Sequence, residues 1–176
     1  MPADRALLVD SVGKKARFLD VVAAATGLAD RVSASAARAE TLARARDHRD
    51  RWPAVTARAV AELAELVELG LPLLRPGGLL LAWKSGDPAD TAGLGGELAA
   101  AERAIAEVGD GSLAAGPTVA ELVASRRVRG GPAADRGRGG SAAELAAVAA
   151  IADHRLIVIR RGRRPISGTW PRDRLR

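Results

Sequence analysis

Short apolar runs alternate with amphipathic stretches along this chain, and the alternation predicts strands separated by helices. The first apolar run, 5–9, predicts a short buried strand, and the helix predicted over 13–27 carries apolar residues on one face and ends at Gly27. The run 79–83 is uninterrupted, as is typical of a strand covered on both faces. This order predicts an α/β fold with a mostly parallel sheet covered by helices.

The other predicted elements end at turn residues. They are strands over 31–34, 54–58 and 156–159, and helices over 36–51, 60–70 and 98–108. Residues 118–128 fit either a strand or a helix. Residues 129–140, rich in Gly and Arg, predict a mobile loop, and Ser141 is expected to cap a short helix that ends near Ala152.

Composition narrows the class of protein. A length of 176 residues suits one domain, here 1–176, and with aromatics at 2% the core must rest on Leu, Val and Ala. Cysteine is absent from the sequence, which excludes a disulfide framework, a thiol nucleophile and a Cys-based metal site. No apolar stretch has a membrane-spanning length and the first residues do not form a signal peptide, so we expect a cytoplasmic protein.

The chain is strongly basic, with a net charge of +6 and 27 basic residues. Three of these are lysines (Lys14, Lys15 and Lys84), and the rest are arginines, including those of a basic carboxyl-terminal tail, 161–176. Codon bias in a GC-rich genome explains the dominance of Arg over Lys, and it also fits the many Ala and Gly residues. A polyanionic partner explains the dominance of Arg equally well, because the guanidinium group suits phosphate contacts and stacking on bases.

The segment Leu7 to Lys15 combines a strand, an acidic residue (Asp10), a turn of small residues and the start of a helix. In nucleotide-binding α/β folds, an acidic residue at the tip of the second strand receives the ribose hydroxyls. A Gly-rich loop is expected about 20 residues before that residue. Six residues precede Leu7, so the pattern predicts the later part of a nucleoside-cofactor fold. Alternatively, Asp10 simply caps the helix that follows.

Several segments in a fixed order resemble the RsmG (GidB) family of bacterial methyltransferases. The resemblance is close over 7–86, weak through the middle of the chain, and returns at the last predicted strand and at an aromatic-Pro-Arg element. The segments are Leu8-Val9-Asp10-Ser11, Lys14-Lys15, Phe18-Leu19, Ala37-Arg38-Ala39-Glu40, Thr56-Ala57-Arg58-Ala59-Val60-Ala61, Leu74-Arg75-Pro76-Gly77-Gly78, Trp83-Lys84-Ser85-Gly86, His154-Arg155-Leu156-Ile157-Val158-Ile159 and Trp170-Pro171-Arg172.

The resemblance implies a Rossmann-like class I fold and transfer of a methyl group from S-adenosylmethionine to N7 of a guanine in small-subunit (16S) ribosomal RNA. It implies that the cofactor lies against residues at or just after strand ends, namely Asp10, Ser11, Val12, Ala39, Glu40 and Arg58. Arg58 would also face the target base, and Lys84 would face the RNA or the catalytic cleft, so these two are the implied catalytic residues. Each has a structural alternative: Glu40 as a solvated helix charge, Arg58 buried without function, Lys84 snorkelling from a strand end.

The implied partner is ribosomal RNA or a pre-ribosomal particle. The residues expected to contact it are Lys84, Arg160, Arg161, Arg163, Arg164, Trp170 and Arg172. The arginines equally suit a solubilising surface, and Trp170 either stacks on a base or pins the tail to the domain. No metal site is expected, because His48 and His154 are isolated in the sequence.

The chain also departs from the family pattern. The family carries an N-terminal helical portion and a Gly-rich loop after a central first strand, whose loss would leave a gap between the strands that end at Asp10 and Arg58. Two explanations remain open: a miscalled start codon and a longer true protein, or a truncated gene whose inactive product persists as an RNA-binding remnant. A methyltransferase acting on a small molecule is a third reading, which leaves the basic tail without a role.

Overall fold

The structure is a computed structural model, and it describes residues 5–121, 151–166 and 169–171. Its elements alternate as the hydrophobic pattern predicts. In chain order they are β1 (Ala6–Val9), α1 (Gly13–Ala25), β2 (Val32–Ser35), α2 (Ala39–Arg44), β3 (Trp52–Arg58), α3 (Leu63–Gly70), β4 (Leu74–Ser85), α4 (Leu94–Val108), β5 (Gly111–Thr118) and β6 (His154–Arg161).

Two sheets form from these strands. The first is the parallel pair β1 and β2, joined through α1. The second has the order β3-β4-β6-β5, with β3 parallel to β4 and with β6 antiparallel to both of its neighbours. The expected parallel arrangement therefore holds over β1–β4, and the antiparallel pairing begins where the last strand enters between β4 and β5.

A cleft of about 620 Å³ separates the two sheets, at the position of the predicted gap between the first and third strands. Within the described residues β1 pairs with β2 alone and β3 with β4 alone, so each has one edge that makes no ladder. One wall contains Ala6 to Val9 and the other Trp52 to Ala57. Leucines from α3 and β4, including Leu66 and Leu80, also line the cleft.

The core lies on one face of the four-stranded sheet. Alternate residues of β4 and β6 point to this face and are almost fully buried, as in Leu80, Ala82, Ile157 and Ile159. They pack in one cluster with the buried residues of α3 and α4. The other residues of β4 point to the opposite face, where Trp83 keeps 38% of its surface exposed.

The end of α1 confirms the predicted stop at Gly27. This glycine adopts φ +69°, and the Leu28 N–H donates to the carbonyl of Ala23 while the Gly27 N–H donates to that of Ala24. This pair of bonds satisfies the last carbonyls of the helix, and glycine suits the left-handed conformation that it requires.

Several predicted boundaries are wrong. The helix predicted over 36–51 is helical only from Ala39 to Arg44, β4 begins at Leu74, and α4 begins at Leu94. Strand β5 was not predicted. Residues 119–121 begin a helix, while the predicted loop 129–140 and most of the helix expected after Ser141 lie outside the described residues.

Candidate functional site

Asp10 follows β1 and makes contacts on both of its carboxylate oxygens. Oδ1 accepts the Val12 N–H at 2.8 Å, and Oδ2 lies 3.6 Å from the Lys15 ammonium. The Asp10 N–H donates to the carbonyl of Ser35, which fixes its position at the carboxyl ends of both β1 and β2. Asp10 therefore positions Val12, the residue before α1, but α1 has no side-chain cap bond, so the structure does not support the capping alternative. A fraction of 29% of the Asp10 side chain remains accessible to a ligand.

The two residues expected near an adenine base form the first turn of α2. Ala39 lines the cleft, and Glu40 is half-buried beside it. Ser11 and Val12, expected at the same cofactor, are exposed at the start of α1. The predicted adenosine-side residues thus lie in the turns that follow β1 and β2, as expected for ligands of open α/β sheets.

Arg58 ends β3 on the other side of the cleft. Its side chain is exposed, and its guanidinium makes no hydrogen bond or ion pair with the residues that the structure describes. The next residue, Ala59, has φ +53°, an unfavourable conformation for a side chain with a Cβ. The chain therefore turns sharply directly after Arg58, and the expected alternative of a buried Arg58 is wrong, because this side chain is exposed.

Lys84 lies near the end of β4 and is held by two oxygens. Its ammonium is 2.6 Å from Glu97 Oε2 and donates to the carbonyl of Ala61 at 3.0 Å, and only 17% of its side chain is exposed. The same Glu97 oxygen accepts the N–H of Leu63, the first residue of α3. Lys84 thus fixes the loop after Arg58, and these contacts do not support the expected contact with RNA.

Sequence reasoning missed Glu97. Its partners are 13 and 34 residues away along the chain, so local spacing carries no signal of them. An acidic residue in the first turn of a helix is common for a local reason, since it complements the helix dipole. The structure gives Glu97 a second role, because it supplies an acceptor at the amino end of α3, whose own cap residue, Glu62, makes no side-chain cap bond.

Trp170 corrects one RNA prediction. It is 8% exposed and belongs to the core cluster, so it cannot stack on a base in this conformation. Arg49 donates to the carbonyls of Trp170 (2.8 Å) and Ile166 (3.0 Å), and Arg44 donates to that of Pro171 (2.8 Å). The structure therefore supports the alternative prediction, in which Trp170 pins the tail to the domain.

Arg161 corrects a second prediction. It is 3% exposed, and its guanidinium donates to the carboxylate of Asp50 and to the carbonyl of Leu74. Asp50 has φ +58° and follows the short helix α2 in the turn region that also contains Arg49. Burial and these acceptors exclude a phosphate contact, so Arg161 joins β6 to this turn.

Three arginines of the predicted RNA surface are exposed. Arg160 donates to the carbonyl of Gly77 at 3.2 Å and remains exposed on β6. The backbone N–H groups of Arg163 and Arg164 donate to the Asp110 carboxylate, which leaves both side chains in solvent. Arg172 lies outside the described residues.

The part of the chain that the structure describes contains neither a candidate metal site nor a helix that could cross a membrane. These residues contain no cluster of three or more His, Cys, Asp and Glu side chains with the geometry to hold a metal ion. None of the helices in the same part of the chain combines the length and the apolar character that crossing a bilayer requires.

Comparison with known proteins points to one family. The family model of GidB, described as rRNA small subunit methyltransferase G, matches residues 1–107. A relative named ribosomal RNA small subunit methyltransferase G from Roseiflexus castenholzii is 57% identical over 77 residues, which is 44% of this chain and 32% of the relative. A relative with the same name from Deinococcus deserti is 48% identical over 101 residues, 57% of this chain and 38% of the relative. The chain thus spans well under half the length of these relatives.

Solved structures support the fold. A Galdieria sulphuraria protein, assigned by name to the sarcosine dimethylglycine methyltransferases, superposes with a TM-score of 0.50 over 90% of this chain and 70% of its own, at 9% identity. A likeness at this identity shows the fold alone, and the fold is that of the class I S-adenosylmethionine-dependent methyltransferases, as predicted.

Proposed function

The chain belongs to the GidB family, rRNA small subunit methyltransferase G, and from this premise we propose that it takes part in S-adenosylmethionine-dependent methylation of N7 of a guanine in small-subunit ribosomal RNA. The substrate is naked rRNA or a pre-ribosomal particle, and the compartment is the cytoplasm. The observation that carries the proposal is the family match over residues 1–107, which contain both sides of the cleft and every predicted cofactor-binding residue.

The reaction suits a site without a nucleophile or a general base. N7 of neutral guanine already carries a lone pair, so the protein must align the base with the methyl group and exclude water. S-adenosylmethionine supplies an electrophilic methyl group on a positively charged sulfur. In the proposed site the exposed guanidinium of Arg58 orients the incoming base or its phosphate.

The described residues fit one end of the cofactor. Asp10, Ala39 and Glu40 follow β1 and β2, where an adenosine would meet an accessible carboxylate and the cleft wall. The cleft between β1 and β3 is open, and among the described residues no glycine-rich turn lies between these strands to enclose the methionine end. The fit is therefore confined to the adenosine end.

A calorimetric titration of S-adenosylmethionine into the purified 176-residue chain tests the cofactor. Weak or undetectable binding by a folded chain is expected from the open cleft. Transfer of a tritiated methyl group to small-subunit rRNA and to assembled small subunits then tests the reaction. Micromolar binding followed by no transfer to either substrate would contradict the proposal.

The second candidate function is RNA binding without catalysis, and the open cleft together with the exposed Arg160, Arg163 and Arg164 favours it. A triple Arg→Gln variant at these positions should weaken rRNA binding and lower the salt dependence of the affinity, by about 0.7–0.9 per lost phosphate contact. Arg31, which is exposed at the amino end of β2, supplies the control: Arg31→Gln should leave RNA binding unchanged. Binding that ignores salt would exclude this function.

A further inference from the structure

Trp83 is a large apolar side chain that the fold leaves open to solvent. It lies two residues before the end of β4 and keeps 38% of its surface exposed. Within the described residues the structure records no ring contact or hydrogen bond for it. An exposed indole ring offers a face on which a nucleic-acid base can stack.

The neighbour of Trp83 in the sheet is Arg58. The two residues are register partners in the parallel ladder of β3 and β4, so their Cα atoms are about 4.8 Å apart and their side chains leave the same face. The preceding register pair, Ala57 and Ala82, points to the opposite face and is buried in the core. An indole and an unpartnered guanidinium therefore stand side by side at the carboxyl end of two strands.

We propose that Trp83 and Arg58 form a stacking platform for an unpaired base of the RNA. The inference rests on the proposed function and adds to it a residue that recognises the substrate. An indole stacks on a base of any sequence, and a guanidinium beside it either stacks in the same plane or pairs with the adjacent phosphate. Charge supports this partner, because Arg160 of β6 pairs with Leu79 and so shares this face of the sheet.

The choice of an RNA base over the cofactor follows from position. The cleft-lining residues of β3 end at Ala57, and Trp83 is not among the residues that line the cleft. Trp83 stands one strand farther from the cleft than Arg58 does. A ligand held in the cleft therefore meets Arg58 before Trp83, whereas a macromolecule approaching the sheet from outside meets both.

The test measures the affinity of the 176-residue chain for a hairpin RNA that carries an unpaired guanine in its loop, over a range of salt concentrations. Loss of one stacked base is expected to weaken binding about 5- to 150-fold. Trp83→Ala should show this loss with an unchanged salt slope, and Trp83→Phe should restore most of the affinity. Phe18→Ala, which removes an aromatic ring exposed at 64% on α1, is the matched control and should bind like the wild type.

The outcomes separate two failures. RNA binding with a normal salt slope that is indifferent to Trp83→Ala overturns the platform and leaves the proposed function standing. A folded wild-type chain that binds no RNA overturns both the platform and the proposed function.

Addition of RNA should quench the fluorescence of Trp83, which is obtained as the difference between wild type and Trp83→Phe. Equal quenching by S-adenosylmethionine in the absence of RNA would assign the ring to the cofactor and overturn the inference. Thermal melting monitored by circular dichroism establishes that each variant is folded.

Discussion

The ammonium of Lys84 lies 2.6 Å from a carboxylate oxygen of Glu97, and this pair joins the end of β4 to the first turn of α4. Both groups also bind the segment between β3 and α3: Lys84 donates to the carbonyl of Ala61, and Glu97 accepts the N–H of Leu63. The loop that follows Arg58 is therefore held from two sides by charged, mostly buried groups. This arrangement gives the residue pair a positioning role.

Removal of either partner should destabilise the fold. Glu97→Ala removes the carboxylate beside the Lys84 ammonium, which keeps only the carbonyl of Ala61, and it removes the acceptor of the Leu63 N–H. We expect a loss of about 1–3 kcal/mol in the free energy of unfolding. Glu97→Gln keeps an acceptor and should lose less. The measurement is urea unfolding of both Glu97 variants, of Lys84→Met and of the double variant that combines Glu97→Ala with Lys84→Met. It gives the coupling energy between Lys84 and Glu97, which we expect to be about 1 kcal/mol.

The control for this prediction is the ion pair between Lys15 and Asp10. Its atoms are 3.6 Å apart, and 68% of the Lys15 side chain is exposed. Solvent screens such a pair, so Lys15→Met should change stability by less than about 0.5 kcal/mol. Equal effects at Lys15 and Lys84 would contradict the positioning role.

The sequence was sufficient to predict five of the strands, most clearly β4 and β6, whose runs of large apolar or β-branched residues are buried on one face. It did not predict β5, whose residues Gly111–Thr118 are mostly small and bear no alternation of apolar and polar positions. This strand forms because β6 offers it an edge: Leu113 pairs with Ile159, and Ala115 with Ile157. Pairing between distant segments decides such a strand, and local propensity does not.

Site residues divide in the same way. Asp10 directly follows β1, Arg58 ends β3 and Ala39 begins the helix after β2, close to their expected positions, because these positions follow from local order along the chain. Arg161 was misassigned because its acceptors lie 87 and 111 residues away along the chain. In addition, the sequence alone does not distinguish a basic run that is wholly exposed from one in which every second residue is buried. The period-2 geometry of β6 buries Arg161 and exposes Arg160.

Trp170 should be essential for the stability of the fold and dispensable for RNA binding. Trp170→Ala empties a site in the core, and we expect a loss of about 3–5 kcal/mol. Trp170→Phe keeps most of the packing and should leave the affinity for RNA and its salt slope unchanged. Urea unfolding and RNA titration of the Phe variant check both statements, and weaker RNA binding by a folded Phe variant would return Trp170 to the RNA surface.

Glu121 should titrate below the ordinary range of a glutamate. Its carboxylate accepts the Thr118 N–H at 2.6 Å, and the Glu121 N–H donates to the Thr118 hydroxyl at 3.1 Å. The Thr118 backbone first, and its side chain second, lower the pKa of Glu121. A lowered folded-state pKa stabilises the fold above the ordinary pKa, and this stabilisation is lost as the pH falls through the lowered value. Carboxyl NMR titration should show the shift, and Thr118→Ala should reverse part of it. An unchanged pKa in that variant would show that the hydroxyl has no effect.

An added strand between β1 and β3 should convert the open cleft into a cofactor site. Within the part of the chain that the structure describes, both strands present an edge without a ladder, and the cleft between them is lined largely by apolar residues. An extended apolar segment would therefore satisfy both edges and bury these walls. We would fuse such an extended segment of apolar, β-branched residues to the amino end of the chain. The fusion should bind S-adenosylmethionine at least about tenfold more tightly, melt at a higher temperature and self-associate less, because free strand edges promote association.

The control is the same fusion with prolines at alternate positions of the added strand, because proline has no N–H to donate to the ladder. If the fusion folds but binds the cofactor no better than the proline control, the cleft is not the place that an added strand completes. If the 176-residue chain alone already binds at micromolar concentration, the cofactor site does not need that strand.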